Sequence, residues 1–147
     1  KKFGSKESDV LELRRLVVKR GYDKNISSWF VSKTIKYLKK NTDTKVIVSY
    51  ADPFHNHKGY IYQALNFMYI GLSGRDKAYI DNETGKVYHS RALRTKYKGN
   101  FKPFVQRLRD KLSLGLLTEV VLPGKHTYVY VLGGGNSLVN LSLPYPK

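Results

Sequence analysis

The sequence predicts an α/β (α+β) fold, in which strands and helices alternate along the chain. The first observation is a β-branched run at residues 46–48, which is too short for a helix and suits a strand buried on both faces. The second is a breaker-rich loop followed by apolar residues at helical spacing over residues 60–65. The third is an apolar and aromatic strand at residues 67–70. Together they form a βαβ-like unit of about 27 residues, whose loop leaves the carboxyl end of a strand.

The composition predicts one domain with a polyanionic partner. The 147 residues fit a single domain, and a hydrophobic content of 41% suffices for a packed core. The 27 Lys and Arg residues against 11 Asp and Glu residues give a net charge of +16, so we expect nucleic acid as the partner. The aromatic residues, mostly Tyr, can stack on flat rings. A solvated coat of charge on a basic protein is the alternative explanation.

The residues that the sequence lacks exclude several kinds of site and structural feature. The absence of cysteine excludes disulfide bonds, thiolate zinc sites and a cysteine nucleophile. No apolar run approaches the roughly 20 residues of a membrane span, and no signal peptide opens the chain, so we expect a soluble intracellular protein without membrane contact. Because the chain starts at Lys1 rather than Met, we expect that a leading segment was removed or lies outside this sequence. The fold would then lack its amino-terminal part.

The first predicted elements are a strand and a helix. Residues 10–18 place charged side chains at alternating positions and end β-branched, which favours a strand. After a turn-like stretch at Gly21, either Asn25 or Ser27 can cap a helix that ends at residues 39–41. Basic residues in its last turn complement the negative end of the helix dipole.

The loop after residues 46–48 carries side chains that suit chemistry. Asp52 lies just beyond the carboxyl end of that strand, where α/β proteins place ligand sites, and its ionised carboxylate only accepts hydrogen bonds. The alternative is an Asp-Pro turn in which Asp52 bonds nearby backbone. His55 and His57 could ligate a metal with Asp52. Such histidines are more often exposed or bound to phosphate, so we assign no metal ligand.

A basic insertion is predicted at residues 72–115. Residues 78–88 predict a hairpin, residues 89–100 a basic loop or short helix, and residues 102–113 a helix with one apolar face. The cations of this insertion can neutralise the phosphates of a DNA duplex. A solvated helix that covers the sheet is the alternative. The candidate DNA contacts are Arg91, Arg94, Lys96, Lys98 and Arg107.

The chain closes with further strand patterns. Residues 127–132 predict a strand, and residues 138–143 predict a last short strand before an extended tail. The glycines at residues 133–135 predict a turn. They do not indicate a phosphate-binding loop, because no Gly-Lys-Ser/Thr sequence or helix follows them.

Two family resemblances depend on residues 45–71. The segment IYQALNF, with Tyr62 in register, resembles the last conserved helix of the GNAT acetyltransferase superfamily. The longer string SYADP, then His, then GxIYQAxNFxYxG resembles the phage Mom family, whose members modify adenine in DNA. This resemblance runs from Leu11 to Gly71, with fainter support in KHTYVYVLG and LPYPK. It implies a single GNAT-like domain over residues 1–147, with a mixed sheet, flanking helices and the basic insertion within it. In such a domain, we expect the strand at residues 127–132 to pair with residues 67–70, as the closing GNAT strands do.

The resemblance also implies catalytic roles. Attack through the exocyclic amine of adenine needs an acceptor aimed at its hydrogen, and Asp52 is the best candidate. Tyr62 matches the position of the GNAT general acid, and Tyr50 is a further catalytic candidate. Without the resemblance, we would assign Tyr62 to core packing with its hydroxyl at the rim.

The binding site of a group donor is implied in the same way. Arg14 would stand where the central GNAT strand splays open for the pantetheine arm of an acyl-CoA, although it could equally be a solvated edge residue. The amino end of the first helix would hold the pyrophosphate, through Asn25, Ser27 and Ser28. The glycine-rich signature that binds CoA is absent there. The alternative role of these serines is ordinary N-capping of the helix. Acetyl-CoA or another small donor is therefore possible, as is iron, which has been associated with the Mom family.

The implied function is conversion of adenine in duplex DNA to an N6-carbamoylmethyl (acetamido) derivative, in the host cell cytoplasm. This change would protect phage DNA from host restriction. Acyl transfer alone cannot complete it, because the new bond joins nitrogen to a methylene carbon. The alternatives are a GNAT-type acyl-CoA-dependent N-acyltransferase on a protein or small amine, and a DNA-binding module without catalysis.

Overall fold

The computed structural model describes residue 3, residues 6–133 and residues 141–147. It divides the chain into two compact units, residues 1–73 with 125–147 and residues 74–124. The helices of the described residues are α1 (Ile26–Asn41), α2 (Tyr60–Ala64) and α3 (Pro103–Ser113). Their strands are β1 (Val10–Leu13), β2 (Val46–Ala51), β3 (Met68–Leu72), β4 (Asp76–Asp81), β5 (Val87–His89), β6 (Lys96–Tyr97), β7 (Asn100–Phe101), β8 (Leu117–Leu122) and β9 (His126–Val131).

The first unit holds a mixed four-stranded sheet in the order β1-β2-β9-β3. β1 runs parallel to β2, and α1 makes the crossover between them. β9 runs antiparallel to both β2 and β3. The predicted mixed α+β fold is confirmed, and so is the pairing of residues 127–132 with residues 67–70. The sequence did not predict that β9 also pairs with β2 and so separates it from β3.

Apolar side chains cover both faces of this sheet. On one face, Val31 of α1 packs in a buried cluster with Tyr128 of β9. On the other face, Val46 and Val129 form a second cluster. Successive residues of β2 alternate between the two clusters, because side chains along a strand point to opposite faces. The strand predicted at residues 46–48 is therefore confirmed, and it continues to Ala51.

β1 is shorter than the sequence predicts. Its pairing with β2 ends at Leu13, whose carbonyl accepts a hydrogen bond of 2.8 Å from the Ser49 hydroxyl. Residues 14–19 then follow no regular secondary structure, so the predicted strand is wrong beyond Leu13. Val17 is 88% exposed, which shows that its β-branched side chain has no neighbouring strand to pack against.

The second unit is built on an antiparallel sheet in the order β5-β4-β8. The hairpin predicted at residues 78–88 is confirmed as β4 and β5, and the helix predicted at residues 102–113 is confirmed as α3. Leu108 of α3 is buried in a cluster with Leu93 and Leu117. The apolar face of α3 therefore packs within this unit.

Residues 89–100 differ from the prediction of a basic loop or short helix. A 3₁₀ helix forms only over Ser90–Leu93, and β6 and β7 then make a two-stranded hairpin. Lys98 and Gly99 form its turn, with φ angles of 47° and 82°. A two-residue hairpin turn of type I′ needs positive φ at both positions, which Gly adopts readily and Lys rarely. The lysine at the first position hid this hairpin from sequence reasoning.

The remaining predictions concern the ends of the chain. Most of the predicted turn after Gly133 and residues 138–140 of the predicted last strand lie outside the described residues. Residues 141–143 do not form the predicted strand, and Leu143 makes only an isolated bridge with Tyr69. The insertion bounds of 72–115 stay a prediction, beside a compact unit of residues 74–124. In the described part of the chain, no helix combines the length and apolar character needed to cross a membrane.

Candidate functional site

A cleft opens in the first unit at the carboxyl end of β2. Its volume is about 440 Å³. The pairing of β1 with β2 stops at Ser49, whereas β2 continues to Ala51, so the chain that follows β1 leaves this end of β2 accessible. The cleft is lined by Leu16, Tyr50, Ala51, Asp52, His57, Lys58, Gly59, Tyr60, Ile61 and Tyr62. It brings together all three predicted catalytic candidates, Tyr50, Asp52 and Tyr62.

The two carboxylate oxygens of Asp52 have different partners. Oδ1 accepts a hydrogen bond of 3.0 Å from the backbone N–H of Phe54 and so caps the 3₁₀ helix Pro53–His55. Oδ2 lies 3.7 Å from Nζ of Lys125 in an ion pair, and the side chain is 28% exposed. The Asp-Pro turn that the sequence offered as an alternative is therefore present. The turn engages Oδ1, and Oδ2 is paired with Lys125.

The two candidate tyrosines differ in their surroundings. Burial, and then the negative charge of Glu12, raise the pKa of Tyr50 above its ordinary value. The Tyr62 ring packs against Phe67 and Tyr128, with ring centroids 5.5 and 5.3 Å apart. Within the described residues, the Tyr62 hydroxyl forms no hydrogen bond. The ring is thus held by packing while the hydroxyl can still engage a ligand.

Tyr128 supports the cleft from the sheet. Its side chain is fully buried, and its hydroxyl donates a hydrogen bond to the backbone carbonyl of Lys58. Gln63 donates from Nε2 to that same carbonyl at 3.0 Å and to the Tyr128 hydroxyl at 3.1 Å. Burial is the main cause that raises the pKa of Tyr128. A neutral, hydrogen-bonded tyrosine therefore holds the loop between β2 and α2 against β9.

Gly59 allows the close approach of that loop. Its φ is +74°, which L side chains rarely adopt, and a Cβ atom built on it would lie 2.4 Å from Cε2 of Tyr128. Only glycine fits both the backbone conformation and the space. Gly59 is the N-cap residue of α2 and so fixes where the helix that carries Tyr62 begins.

His126 lies at the start of β9 and shares a hydrogen bond of 3.0 Å with the hydroxyl of Tyr69, through its Nδ1. Burial, followed by the positive charge of Lys58, lowers the pKa of His126 below its ordinary value. Folding therefore shifts the protonation equilibrium of His126 toward the neutral imidazole.

The histidines of the loop do not make a metal centre. The rings of His55 and His57 have centroids 6.4 Å apart, and His57 alone lines the cleft. Across the described ranges, no group of three His, Asp or Glu side chains is arranged to hold a metal ion. These residues do not fit the iron that the resemblance implies, and we derive no step through it.

The predicted donor-binding residues do not line the cleft. Arg14 forms an ion pair of 3.4 Å with Glu12. Asn25 is the N-cap residue of α1 but makes no side-chain capping bond, and the Ser28 hydroxyl donates to its carbonyl at 2.9 Å. Ser27 follows in the first turn of α1. The structure does not bring these four residues together with Asp52 and Tyr62, and their roles stay predictions.

The predicted DNA contacts all lie in the second unit, on different elements. Arg91 belongs to the 3₁₀ helix, Arg94 follows it, Lys96 lies in β6, Lys98 in the hairpin turn and Arg107 in α3. Among the described residues, none of the five forms an ion pair with a carboxylate. Their charges are available to a polyanion.

The family model of the Mom protein family matches residues 1–147, the whole chain. The chain belongs to the Mom protein family. Membership implies phage Mom-type modification of DNA, and the resemblance predicted from residues 45–71 is confirmed. No curated protein matches the chain.

Sequence reasoning missed the residues that support the cleft of this Mom family member. Lys125, Tyr128 and Gln63 contact Asp52 or the Lys58 carbonyl, but Lys125 and Tyr128 lie more than sixty positions further along the chain. The aromatic pattern of residues 127–132 predicted a strand. It did not indicate that this strand pairs with β2, so it could not place Tyr128 beneath the loop.

Proposed function

We propose that this Mom family member converts adenine in duplex DNA to an N6-carbamoylmethyl derivative in the host cell cytoplasm, and so protects phage DNA from restriction. The observation that carries the proposal is the cleft at the end of β2, which Tyr50, Asp52 and Tyr62 line together. A volume of about 440 Å³ accommodates a nucleobase beside a small donor.

Asp52 is proposed to accept the proton of the adenine amine. The lone pair of N6 is delocalised into the ring, so the nitrogen attacks only as an acceptor removes its hydrogen. Oδ2 of Asp52 is suited to this role because Oδ1 already caps the next turn and holds the carboxylate in place. In the overall change, one N–H bond of the amine is replaced by a bond from nitrogen to a methylene carbon.

Tyr62 is proposed to give its proton to the group that leaves the donor. The donor must carry the two-carbon carbamoylmethyl unit on a leaving group; as nitrogen bonds to the methylene carbon, the bond from that carbon to the leaving group breaks, and the leaving group departs with its bonding electrons. Tyr62 is held by Phe67 and Tyr128, which leaves its hydroxyl for this contact. Tyr50 keeps its proton because of its raised pKa and is proposed to orient the base by donating a hydrogen bond.

The second unit is proposed to contact duplex DNA, as the predicted insertion of residues 72–115. The support is its unpaired positive charge at Arg91, Arg94, Lys96, Lys98 and Arg107. Each cation that neutralises a phosphate releases counterions, so affinity should fall steeply as salt rises.

The test is mass spectrometry of nucleosides from plasmid DNA of cells that express the chain. We expect carbamoylmethyl-adenine with the wild type and a loss of roughly 100-fold or more with Tyr62→Phe, which keeps the ring packing but has no proton to give. Unmodified adenine with the folded wild-type chain would contradict the proposal. Equal modification by Tyr62→Phe would remove Tyr62 from the mechanism.

A GNAT-type acyl-CoA-dependent N-acyltransferase is the second candidate. The observation that favours it is that β1 and its pairing with β2 end at Leu13, whereas β2 continues to Ala51, which leaves room for an opening like the one that receives the pantetheine arm in GNAT proteins. In this case Arg14, Asn25, Ser27 and Ser28 would bind acetyl-CoA. Calorimetric binding of acetyl-CoA that Ser27→Ala weakens, together with unmodified adenine in the plasmid test, would favour this candidate.

A further inference from the structure

A short hairpin in the second unit carries an exposed aromatic ring. β6 and β7 form a two-stranded ribbon closed by the turn at Lys98 and Gly99. Tyr97 immediately precedes the turn and is 63% exposed. A turn of type I′ follows the natural twist of two paired strands, so the ribbon is narrow and its tip has a defined direction.

The base of the hairpin is anchored through Phe101. The guanidinium carbon of Arg109, from α3, lies 4.4 Å from the centroid of the Phe101 ring, and the ammonium of Lys96 lies 5.0 Å from it. Arg109 also donates to the carbonyl of Leu93 at 3.4 Å. The ribbon is therefore tied to α3 and the 3₁₀ helix, which leaves Tyr97 as its exposed aromatic residue.

The charged residues that surround Tyr97 in the sequence are all basic. Residues 91–109 contain seven cations and no carboxylate. The ammonium groups of Lys98 and Lys102 lie 5.7 and 5.9 Å from the centroid of the Tyr97 ring. A flat ring set among cations complements a ligand that joins flat rings to phosphates. That ligand class is nucleic acid.

Duplex DNA gives such a ring a specific task. An adenine whose amine is to be modified must leave the base stack, and this costs free energy unless a side chain fills the gap. A two-stranded β-ribbon fits the major groove, which is about 12 Å wide. An aromatic ring with only two side-chain torsions can stack there at little cost in conformational entropy.

We propose that Tyr97 inserts beside the target adenine and stabilises its extruded state, while Lys98 and Lys102 contact the flanking phosphates. The inference rests on the proposed function for the identity of the base. It names the residue that opens the duplex, which is separate from the residues that carry out the chemistry.

The test measures binding of the full chain to two duplexes of one sequence by fluorescence anisotropy. One duplex is intact, and the other has an abasic position opposite a central adenine, so its pair is already open. Wild type should bind the open duplex about tenfold more tightly, because less unstacking is required. Tyr97→Ala should bind both duplexes alike, whereas Tyr97→Trp should keep the preference through stacking.

Two further variants sharpen the comparison. Tyr37→Ala, which removes a ring that is 64% exposed on α1, should keep the tenfold preference. Tyr97→Lys removes the ring but keeps a long side chain, and should lose the preference as Tyr97→Ala does. A preference that survives in both Tyr97→Ala and Tyr97→Lys would overturn the role of Tyr97.

The plasmid test separates this inference from the proposed function. If the wild type leaves adenine unmodified but shows a preference for the open duplex that depends on Tyr97, the proposed function fails and the insertion of Tyr97 stands. If adenine is modified equally by wild type and Tyr97→Ala, the proposed function stands and the insertion fails.

Discussion

The buried hydroxyl of Tyr128 donates a hydrogen bond to the backbone carbonyl of Lys58. Tyr128 lies in β9, and Lys58 lies in the loop that joins β2 to α2. The bond therefore fixes the loop from Asp52 to Gly59 against a strand that is distant in sequence. This hydrogen bond therefore holds the cleft-lining residues Lys58 and Gly59 in a fixed position relative to the sheet.

Replacing Tyr128 by Phe should weaken the fold and the cleft together. The substitution removes one donor to the Lys58 carbonyl and the acceptor of one Gln63 hydrogen bond, in a buried setting. We expect the free energy of unfolding in urea to fall by about 1–3 kcal/mol. Tyr37→Phe, at an exposed position, is the control and should not change it. Equal stability of Tyr128→Phe and wild type would show that the hydrogen bond is dispensable.

Gly59→Ala should destabilise the protein more than Gly21→Ala. Both glycines have positive φ, and Ala there costs about 1–3 kcal/mol in either case. At Gly21 no atom lies within 4 Å of the added Cβ, whereas at Gly59 the Tyr128 ring lies at 2.4 Å and must move. The measurement is the difference between the two unfolding free energies. Equal losses would mean that the Tyr128 ring shifts without cost.

The sequence predicted the elements of the cleft but not their support. Residues 46–48, the loop with Asp52 and the helix around Tyr62 are contiguous, so their local patterns are sufficient to predict them. Tyr128 contacts the loop of the cleft from β9, which pairs with β2, and Lys125 precedes β9 and forms an ion pair with Asp52. Nothing in a local pattern specifies which strand lies between two others, so this part could not be predicted.

Two local predictions failed for physical reasons that the structure makes plain. The strand prediction at residues 10–18 counted the β-branched Val17, but β1 ends at Leu13 and Val17 is exposed. Strand propensity acts only where a neighbour provides packing. The sequence did not predict the hairpin β6–β7, because Lys98 occupies a turn position where Asn or Asp is usual.

The protein should lose stability as the pH falls through the range in which histidine titrates. Burial lowers the pKa of His126 in the folded state, whereas the unfolded chain titrates near 6.5. The unfolded state therefore binds the proton first, so the stability is present above this pH and is lost toward the lowered folded pKa. Asp9, Asp76 and Asp81 have pKa values below their ordinary value of 3.8 in the folded state. The stability that their carboxylates contribute is therefore lost only at lower pH, as the pH falls below 3.8.

Thermal unfolding of wild type and His126→Asn checks this prediction. Between about pH 7.5 and about pH 5.5, the Tm of wild type should fall more than that of His126→Asn, which cannot titrate at this position. His55→Asn removes an exposed imidazole from the loop and should keep the drop of the wild type. Parallel curves for wild type and His126→Asn would exclude His126 as the source.

Removing one free cation should reduce the salt dependence of DNA binding. Lys98→Ala should lower the magnitude of the slope of log K against log salt by about 1, the value for one phosphate contact. Lys77→Ala is the matched control, because Lys77 is already paired with Glu119 at 2.6 Å. Its slope should equal that of the wild type. If Lys98→Ala also leaves the slope unchanged, Lys98 makes no phosphate contact.

The most direct measurement of the central claim is the yield of carbamoylmethyl-adenine in plasmid DNA from cells that express Asp52→Asn. Asparagine can still cap the turn by accepting from the Phe54 N–H, but it cannot take a proton from the adenine amine. With Asp43→Asn, at an exposed position, as the control, we predict a wild-type yield for the control and a loss of roughly 100-fold or more for Asp52→Asn. A wild-type yield from folded Asp52→Asn would contradict the assignment of the chemistry to this cleft.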